Sequence, residues 1–255
     1  MNKIALITGA TSGIGKATAL KLAETGYNLI LCGRRAEKLE ELKKQITTKA
    51  YTRNFDVRNR EDVESQLASL PDEWKNIDVL VNNAGNAHGF SPIQTGDTDD
   101  WDAMMDGNVK GLLYVSRAII PGMVERKKGH IINISSVAGK QTYPNGAVYC
   151  ASKKAVEAIS EGMRLDLTEH GIKITNIAPG AVETEFSEVR FKGDKERAKK
   201  VYEGFEPLVA EDIADLISYV LSVPERVTIA DVTVYPKAQA APATVYRKQQ
   251  PEGNS

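Results

Sequence analysis

Seven short runs rich in aliphatic and β-branched residues punctuate the chain: KIALIT (3–8), NLILC (28–32), YTRNF (51–55), IDVLVNN (77–83), HIINIS (130–135), IKITNIA (172–178) and IADVTV (229–234). Most are continuously apolar rather than alternating, which predicts strands buried on both faces, as in a parallel sheet covered by helices. Between them the periodicity becomes helical. AEKLEELKKQI (36–46) places Leu39, Leu42 and Ile46 on one stripe with charges opposite, and EDVESQLASL (61–70) does the same with Val63, Leu67 and Leu70. Longer helical segments are expected from about Thr98 to Val124 and from Ala147 to His170. Strand alternating with helix predicts a doubly wound α/β fold with a parallel sheet of about seven strands.

With 255 residues and no internal repeat or Pro/Gly/Ser-rich linker, the chain is expected to form one domain over residues 1–240. Within it, residues 182–204 carry few apolar anchors and are expected to act as a lid, with Gly193 as a hinge. The end of the chain loses periodicity after Tyr235, and residues 241–255 are read as a polar tail, either disordered or laid on a partner subunit.

Charge narrows the functional classes. Lys and Arg number 33 against 34 Asp and Glu, a net −1, so there is no basic field for nucleic acid or anionic lipid. The apolar runs are too short to span a bilayer or to form a secretory leader, and a cytoplasmic location is expected. Two cysteines, Cys32 and Cys150, and three scattered histidines lack metal-ligand spacing, so no metal site is expected.

The first predicted strand runs into TGATSGIG (8–15) and then a helix. Gly9, Gly13 and Gly15 fall where the chain must turn sharply, where missing side chains let backbone N–H groups approach a pyrophosphate at the positive end of a helix dipole. At the end of the second strand, where an NAD-selective site places an acid, stand Gly33, Arg34 and Arg35. Two guanidinium groups at a helix start, an unfavourable place for bare cations, favour the extra 2′-phosphate of NADP.

Tyr149 and Lys153 in VYCASKK (148–154) share a face if that segment is helical, and a nearby cation favours the phenolate. A Tyr-x-x-x-Lys pair arises by chance roughly once in a chain of this composition, so its context decides. HIINISS brings Ser135 and Ser136 to the carboxyl end of a buried strand, where open α/β sheets bind ligands, and NNAG (82–85) ends the strand before it. Either serine can hold a substrate oxygen or cap a turn. Asn108 is a poor helix former inside a helical segment, suited to holding a water or kinking the helix.

TGATSGIG, NNAG, ISS, YCASK and PG (179–180), in that order, resemble the classical short-chain dehydrogenases and reductases, with their Rossmann-type fold. The resemblance implies a catalytic tetrad of Asn108, Ser136, Tyr149 and Lys153. Tyr149 would be the acid/base, Ser136 would orient the reacting oxygen, Lys153 would bind the nicotinamide ribose and acidify Tyr149, and Asn108 would hold a relay water. Ser136 rather than Ser135 matches, lying thirteen residues before Tyr149. It implies a cofactor shell of Gly9, Thr11, Ser12, Gly13, Ile14 and Gly15 in the turn, with Arg34, Arg35, Asp56, Val57 and Asn83 beyond it. Tyr149, Lys153, Pro179, Gly180, Val182 and Thr184 complete that shell on the nicotinamide side.

LPDEWKNIDVLVNNAG, GMVERKKGHIINISS and TEFSEVRFKGD further resemble the NADP-dependent 3-hydroxy acid dehydrogenase subgroup, whose members act on L-serine, L-allo-threonine and related acids or reduce malonic semialdehyde. That likeness implies NADP as cofactor, a small hydroxy acid as substrate and a homotetramer. On the lid, Arg190 is the cation suited to a substrate carboxylate, the alternative being a solvated loop or a subunit contact. Two other activities stay open at this point: a broad carbonyl or sugar-alcohol reductase, and a protein that senses NADP(H) without turnover.

Overall fold

In β1 (Ile4–Thr8) all five residues are buried, and successive side chains enter different cores: Ile4 and Leu6 on one face, Ala5 and Ile7 on the other. That two-sided burial is the physical reason for continuous rather than alternating apolar sequence. The computed structural model describes residues 2–248. The sheet continues through β2 (Asn28–Gly33), β3 (Ala50–Asn54), β4 (Ile77–Asn82), β5 (Gly129–Ile134), β6 (Ile172–Pro179) and β7 (Asp231–Val234), all parallel, in the order β3-β2-β1-β4-β5-β6-β7. Each predicted strand is present, its ends displaced by no more than two residues. The two edge strands depart from full burial: β3 is half-buried for most of its length and β7 alternates.

One face is covered by α1 (Gly13–Glu24), α2 (Ala36–Lys43) and α10 (Ala210–Ser222), which contribute Leu22, Leu39 and Ile217 to its core. The other is covered by α3 (Arg60–Ala68), α5 (Gly111–Arg126) and α7 (Ala147–Leu167), which contribute Val63, Val115 and Val156. Short helices α4 (Thr98–Met105), α6 (Val137–Lys140), α8 (Phe186–Arg190) and α9 (Lys195–Lys200) lie in the connections. Strand order reverses between β1 and β4, which opens a crevice at their carboxyl ends.

The long helix expected over 98–124 is interrupted. A π-turn at Asp106–Lys110 separates α4 from α5 and carries the buried Asn108. Packing holds the break: a Cβ on Gly111 would stand 2.7 Å from Val57 Cγ2, so only glycine lets the second segment approach so closely.

Part of the expected tail is ordered on the chain itself. Residues β8 (Gln239–Ala241) and β9 (Thr244–Val245) form an antiparallel hairpin against the chain's own lid, and the expected boundary at residue 240 falls inside it. Gln239 is buried, its Oε1 accepting the Ala181 N–H at 2.8 Å. The Lys248 N–H donates to the Gly204 carbonyl at 2.8 Å. Residues 249–255 of the predicted tail lie outside the described residues. The predicted hinge Gly193 has φ +92°, and the lid folds as α8 and α9 around it. Both cysteines are buried free thiols, and no helix among the described residues is long and apolar enough to cross a membrane.

Candidate active site

The carboxyl ends of β1 and β4 are tied together at the crevice. The Asn83 amide donates to the Thr8 and Gly9 carbonyls at 3.0 and 3.2 Å, and the Asn83 and Ala84 N–H groups both donate to Thr8 Oγ1. The glycine turn thereby pinned has φ of +66° at Gly9 and +48° at Gly13, left-handed values that glycine adopts without strain. A Cβ on Gly15 would lie 2.3 Å from the Gly9 carbonyl oxygen and 2.5 Å from Asn83 Nδ2. Ser12 caps α1 without a side-chain bond to it, and the first turn of α1 holds no acid. A free hydroxyl, bare N–H groups and the positive end of a helix suit a pyrophosphate.

This turn forms one end of a cleft of about 840 Å³, lined by every residue of the expected cofactor shell except Gly15, which lies beneath it as packing. At the end of the cleft that carries Arg34 and Arg35, burial pushes Asp56 up, but hydrogen bonds from Arg58 and the charges of Arg58 and Arg34 hold it below the usual carboxylate range. Arg34 Nη1 stands 3.8 Å from Asp56, and Arg35 donates through Nε and Nη2 to Thr11 Oγ1 at 3.1 and 2.8 Å.

At the other end β5 delivers two serines to different duties. Ser135 is buried and donates to the Lys153 carbonyl at 3.2 Å. Ser136 lines the cleft, accepts the Ala138 N–H at 3.1 Å as the cap of α6, and donates to the Pro179 carbonyl at 3.5 Å. Capping and facing the ligand side, alternatives in the sequence, coincide here.

Tyr149 and Lys153 lie in the first turns of α7, both buried. Burial pushes the Tyr149 phenol well above its ordinary value and the Tyr143 phenol adds to it, while the Ser136 hydroxyl and the Arg190 charge pull it down. The expected lowering by Lys153 is therefore not met in the chain alone. Burial instead pushes the Lys153 ammonium down to about 8, and its Nζ donates to the Ile134 carbonyl at 3.0 Å. Desolvation outweighs the pairing that the four-residue spacing suggests.

Asn108 sits behind these groups rather than on the cleft. Its Oδ1 accepts the Asn86 N–H at 2.7 Å, and its Nδ2 donates to the Asn86 carbonyl at 2.8 Å and to Ser152 Oγ at 2.9 Å. Ser152 in turn donates to the Tyr149 carbonyl at 2.7 Å. Asn108 and Lys153 converge on Gly85, where a Cβ would stand 2.9 Å from Asn108 Oδ1 and 3.4 Å from Lys153 Nζ.

The lid brings Arg190 over Tyr149. Its guanidinium carbon lies 5.5 Å from the Tyr149 ring centroid, 4.8 Å from Phe90 and 5.7 Å from Tyr143, and Nη2 donates to the Tyr143 hydroxyl at 3.2 Å. Among the described residues no carboxylate pairs with it. Phe90, Tyr143 and Ser152 were not singled out from sequence. The aromatic pair carries no spacing signal, whereas Ser152, three residues after Tyr149 on a helix, was legible in principle.

A strand–glycine-turn–helix cradle, a serine, a tyrosine and a lysine on one cleft match a known family. The model of the short chain dehydrogenases matches residues 3–195. The chain belongs to the short-chain dehydrogenase family. This dehydrogenase is 47% identical over 238 residues to the NADP-dependent 3-hydroxy acid dehydrogenase of Salmonella typhi, covering 93% of this chain and 96% of that one. Its structure matches the closed form of a serine dehydrogenase complexed with NADP+, with a TM-score of 0.92 and 44% identity over 97% of this chain and 100% of that one. It also matches the serine dehydrogenase of Escherichia coli, with a TM-score of 0.82 and 40% identity over 93% and 99% of the two chains.

Proposed function

We propose that this dehydrogenase interconverts small 3-hydroxy acids, of the L-serine, L-allo-threonine and 3-hydroxypropionate type, with their 3-oxo acids, using NADP. The observation that carries the substrate class is Arg190, a half-buried guanidinium with no carboxylate partner among the described residues, held by three aromatic rings beside Tyr149. A partly desolvated cation fixed without an anion matches a ligand that brings one, and guanidinium matches carboxylate geometry. The names of the relatives agree with that reading.

NADP, when bound, supplies the nicotinamide that accepts or returns the hydride. The turn at Gly9 to Gly13 would hold its pyrophosphate, Arg34 its 2′-phosphate, and Val182 and Thr184 its nicotinamide side. Tyr149 takes the proton from the substrate hydroxyl in oxidation and gives it back in reduction. Ser136 holds the same oxygen, and Arg190 fixes the carboxylate so that this hydroxyl meets the phenol. Lys153 would bind the nicotinamide ribose. Asn108 positions the start of α7 through Ser152 and the Tyr149 carbonyl.

Assembly into a homotetramer belongs to the same reading. Leu113 on α5, Leu165 on α7 and Tyr219 on α10 are 41, 75 and 60% exposed, large apolar groups that a subunit contact would cover. Sedimentation velocity reads the mass directly.

The functional test is initial-rate oxidation of the three acids with NADP+ and with NAD+. Turnover with NADP+ is expected, weak with NAD+, and about 10²- to 10⁴-fold lower in Tyr149→Phe. Arg190→Ala should lower kcat/KM for the acids about 10- to 100-fold, the worth of a charge-assisted pair, and leave uncharged alcohols nearly unchanged. Equal losses on acids and alcohols would remove Arg190 from the carboxylate site. Reduction of neutral ketones with no turnover of any acid would replace the substrate class.

A further inference from the structure

Helix α8 has a charged residue at each end, Glu185 as its cap and Arg190 as its last residue, so whatever holds Glu185 bears on where Arg190 stands. Glu185 is held from the opposite wall of the cleft. Its Oε2 accepts from Arg35 Nη1 at 2.9 Å and its Oε1 from Lys38 Nζ at 3.4 Å, donors 150 and 147 residues away in sequence. Arg35 is itself anchored by its two bonds to Thr11 in the glycine turn. Thr184, next to Glu185, packs on the same turn, where a Cβ on Gly13 would meet Thr184 Cβ at 3.2 Å.

The two arginines that the sequence offers as a pair thus do different things. Among the described residues Arg34 has only its 3.8 Å contact with Asp56, and it is 60% exposed, free to turn toward a phosphate. Arg35 has its donors divided between the glycine turn and the lid. We propose that Glu185 is a positioning residue: by bridging Arg35 and Lys38 it latches the lid across the cofactor cleft and so sets Arg190 over Tyr149. What Arg190 then binds rests on the hydroxy-acid reading above; the latch itself does not.

Because Glu185 and its partners are 40 to 49% exposed, the effect is modest, about two- to fivefold, as for other solvated ion pairs. The lid carries trypsin sites at Arg190, Lys192 and Arg197, so cleavage there reads latching without any substrate. With NADP+ saturating, Glu185→Gln and Arg35→Gln should each be cut in the lid about two- to fivefold faster than wild type, and the double variant no faster than Glu185→Gln alone, with unchanged melting temperature. The dissociation constants of NADP+ and NAD+ should weaken by one common factor in Glu185→Gln. Additive cleavage rates, or an unchanged lid, would overturn the latch. So would selective tightening of NADP+, which would show Glu185 competing with the 2′-phosphate instead. If wild type oxidises the acids, Glu185→Gln should also raise their KM with kcat retained. If wild type oxidises none of them, the substrate reading fails while the proteolysis still decides the latch.

Discussion

His130 shows what burial does to a titratable side chain away from the site. It lies in β5, buried, with Nε2 2.8 Å from Thr175 Oγ1. The Thr175 hydroxyl donates onward to the Ile229 carbonyl at 2.6 Å, so its oxygen is left to accept and the His130 proton sits on Nε2. Burial, helped by the charges of Lys173 and Lys3, pushes the imidazole down to about 4. The folded value lies below the unfolded one near 6.5, so the unfolded chain binds a proton that the native one refuses. The stabilising contribution is therefore complete above about pH 6.5 and is lost as pH falls toward 4, about 3 kcal/mol in all. Urea unfolding at pH 7 and pH 5 checks it: His130→Gln should lose less stability than wild type between the two, by about 2 kcal/mol. Equal losses would mean that the imidazole is not held neutral. The same desolvation acts on Tyr149 and Lys153, drawing each toward its uncharged form, and sequence spacing carries no information about it.

At the scale of elements, the strand–turn–helix unit at the start of the chain was legible because its constraints are local. Gly9 and Gly13 announce left-handed backbone, and the apolar run before them announces a strand buried on both faces. The glycine turn in the sequence offers Gly15 to the phosphate along with Gly9 and Gly13, but the structure gives it a packing duty, with the Gly9 carbonyl and the Asn83 amide occupying the space a side chain would need. Gly15→Ala therefore has to push backbone rather than a flexible side-chain end, and it should both lower stability by about 1–3 kcal/mol and weaken NADP+ binding. Thermal unfolding with and without NADP+ reads both, and a variant with wild-type melting and binding would show that the turn has slack. The break between α4 and α5 was half legible. Asn108 marks a weak point in a helix, but the π-turn is held by Val57 against Gly111 and by Asn86, partners that only the fold supplies.

For the whole molecule, what escaped the sequence are contacts between segments far apart in the chain. Glu185 with Arg35 is one, and the C-terminal hairpin is the other. Residues after Tyr235 have neither apolar periodicity nor a motif, yet they close the lid's far end. Arg247 Nη2 donates to the Val201 carbonyl at 2.9 Å, Nη1 donates to the Glu203 carbonyl, and the guanidinium lies 5.2 Å from the Phe205 ring centroid. Pro242, Ala243 and Val245 form part of the cleft wall. The two hydrophobic cores draw no residue from this hairpin, so its release should cost little global stability. Arg247→Ala should therefore speed amide exchange at residues 201–205 severalfold and leave the sheet amides and the melting temperature within about 2 °C of wild type. Hydrogen exchange by mass spectrometry separates the outcomes. Faster exchange confined to the lid's end makes the hairpin a local clamp on the cleft, whereas faster exchange throughout the sheet, with a large fall in melting temperature, would make it a part of the folding unit.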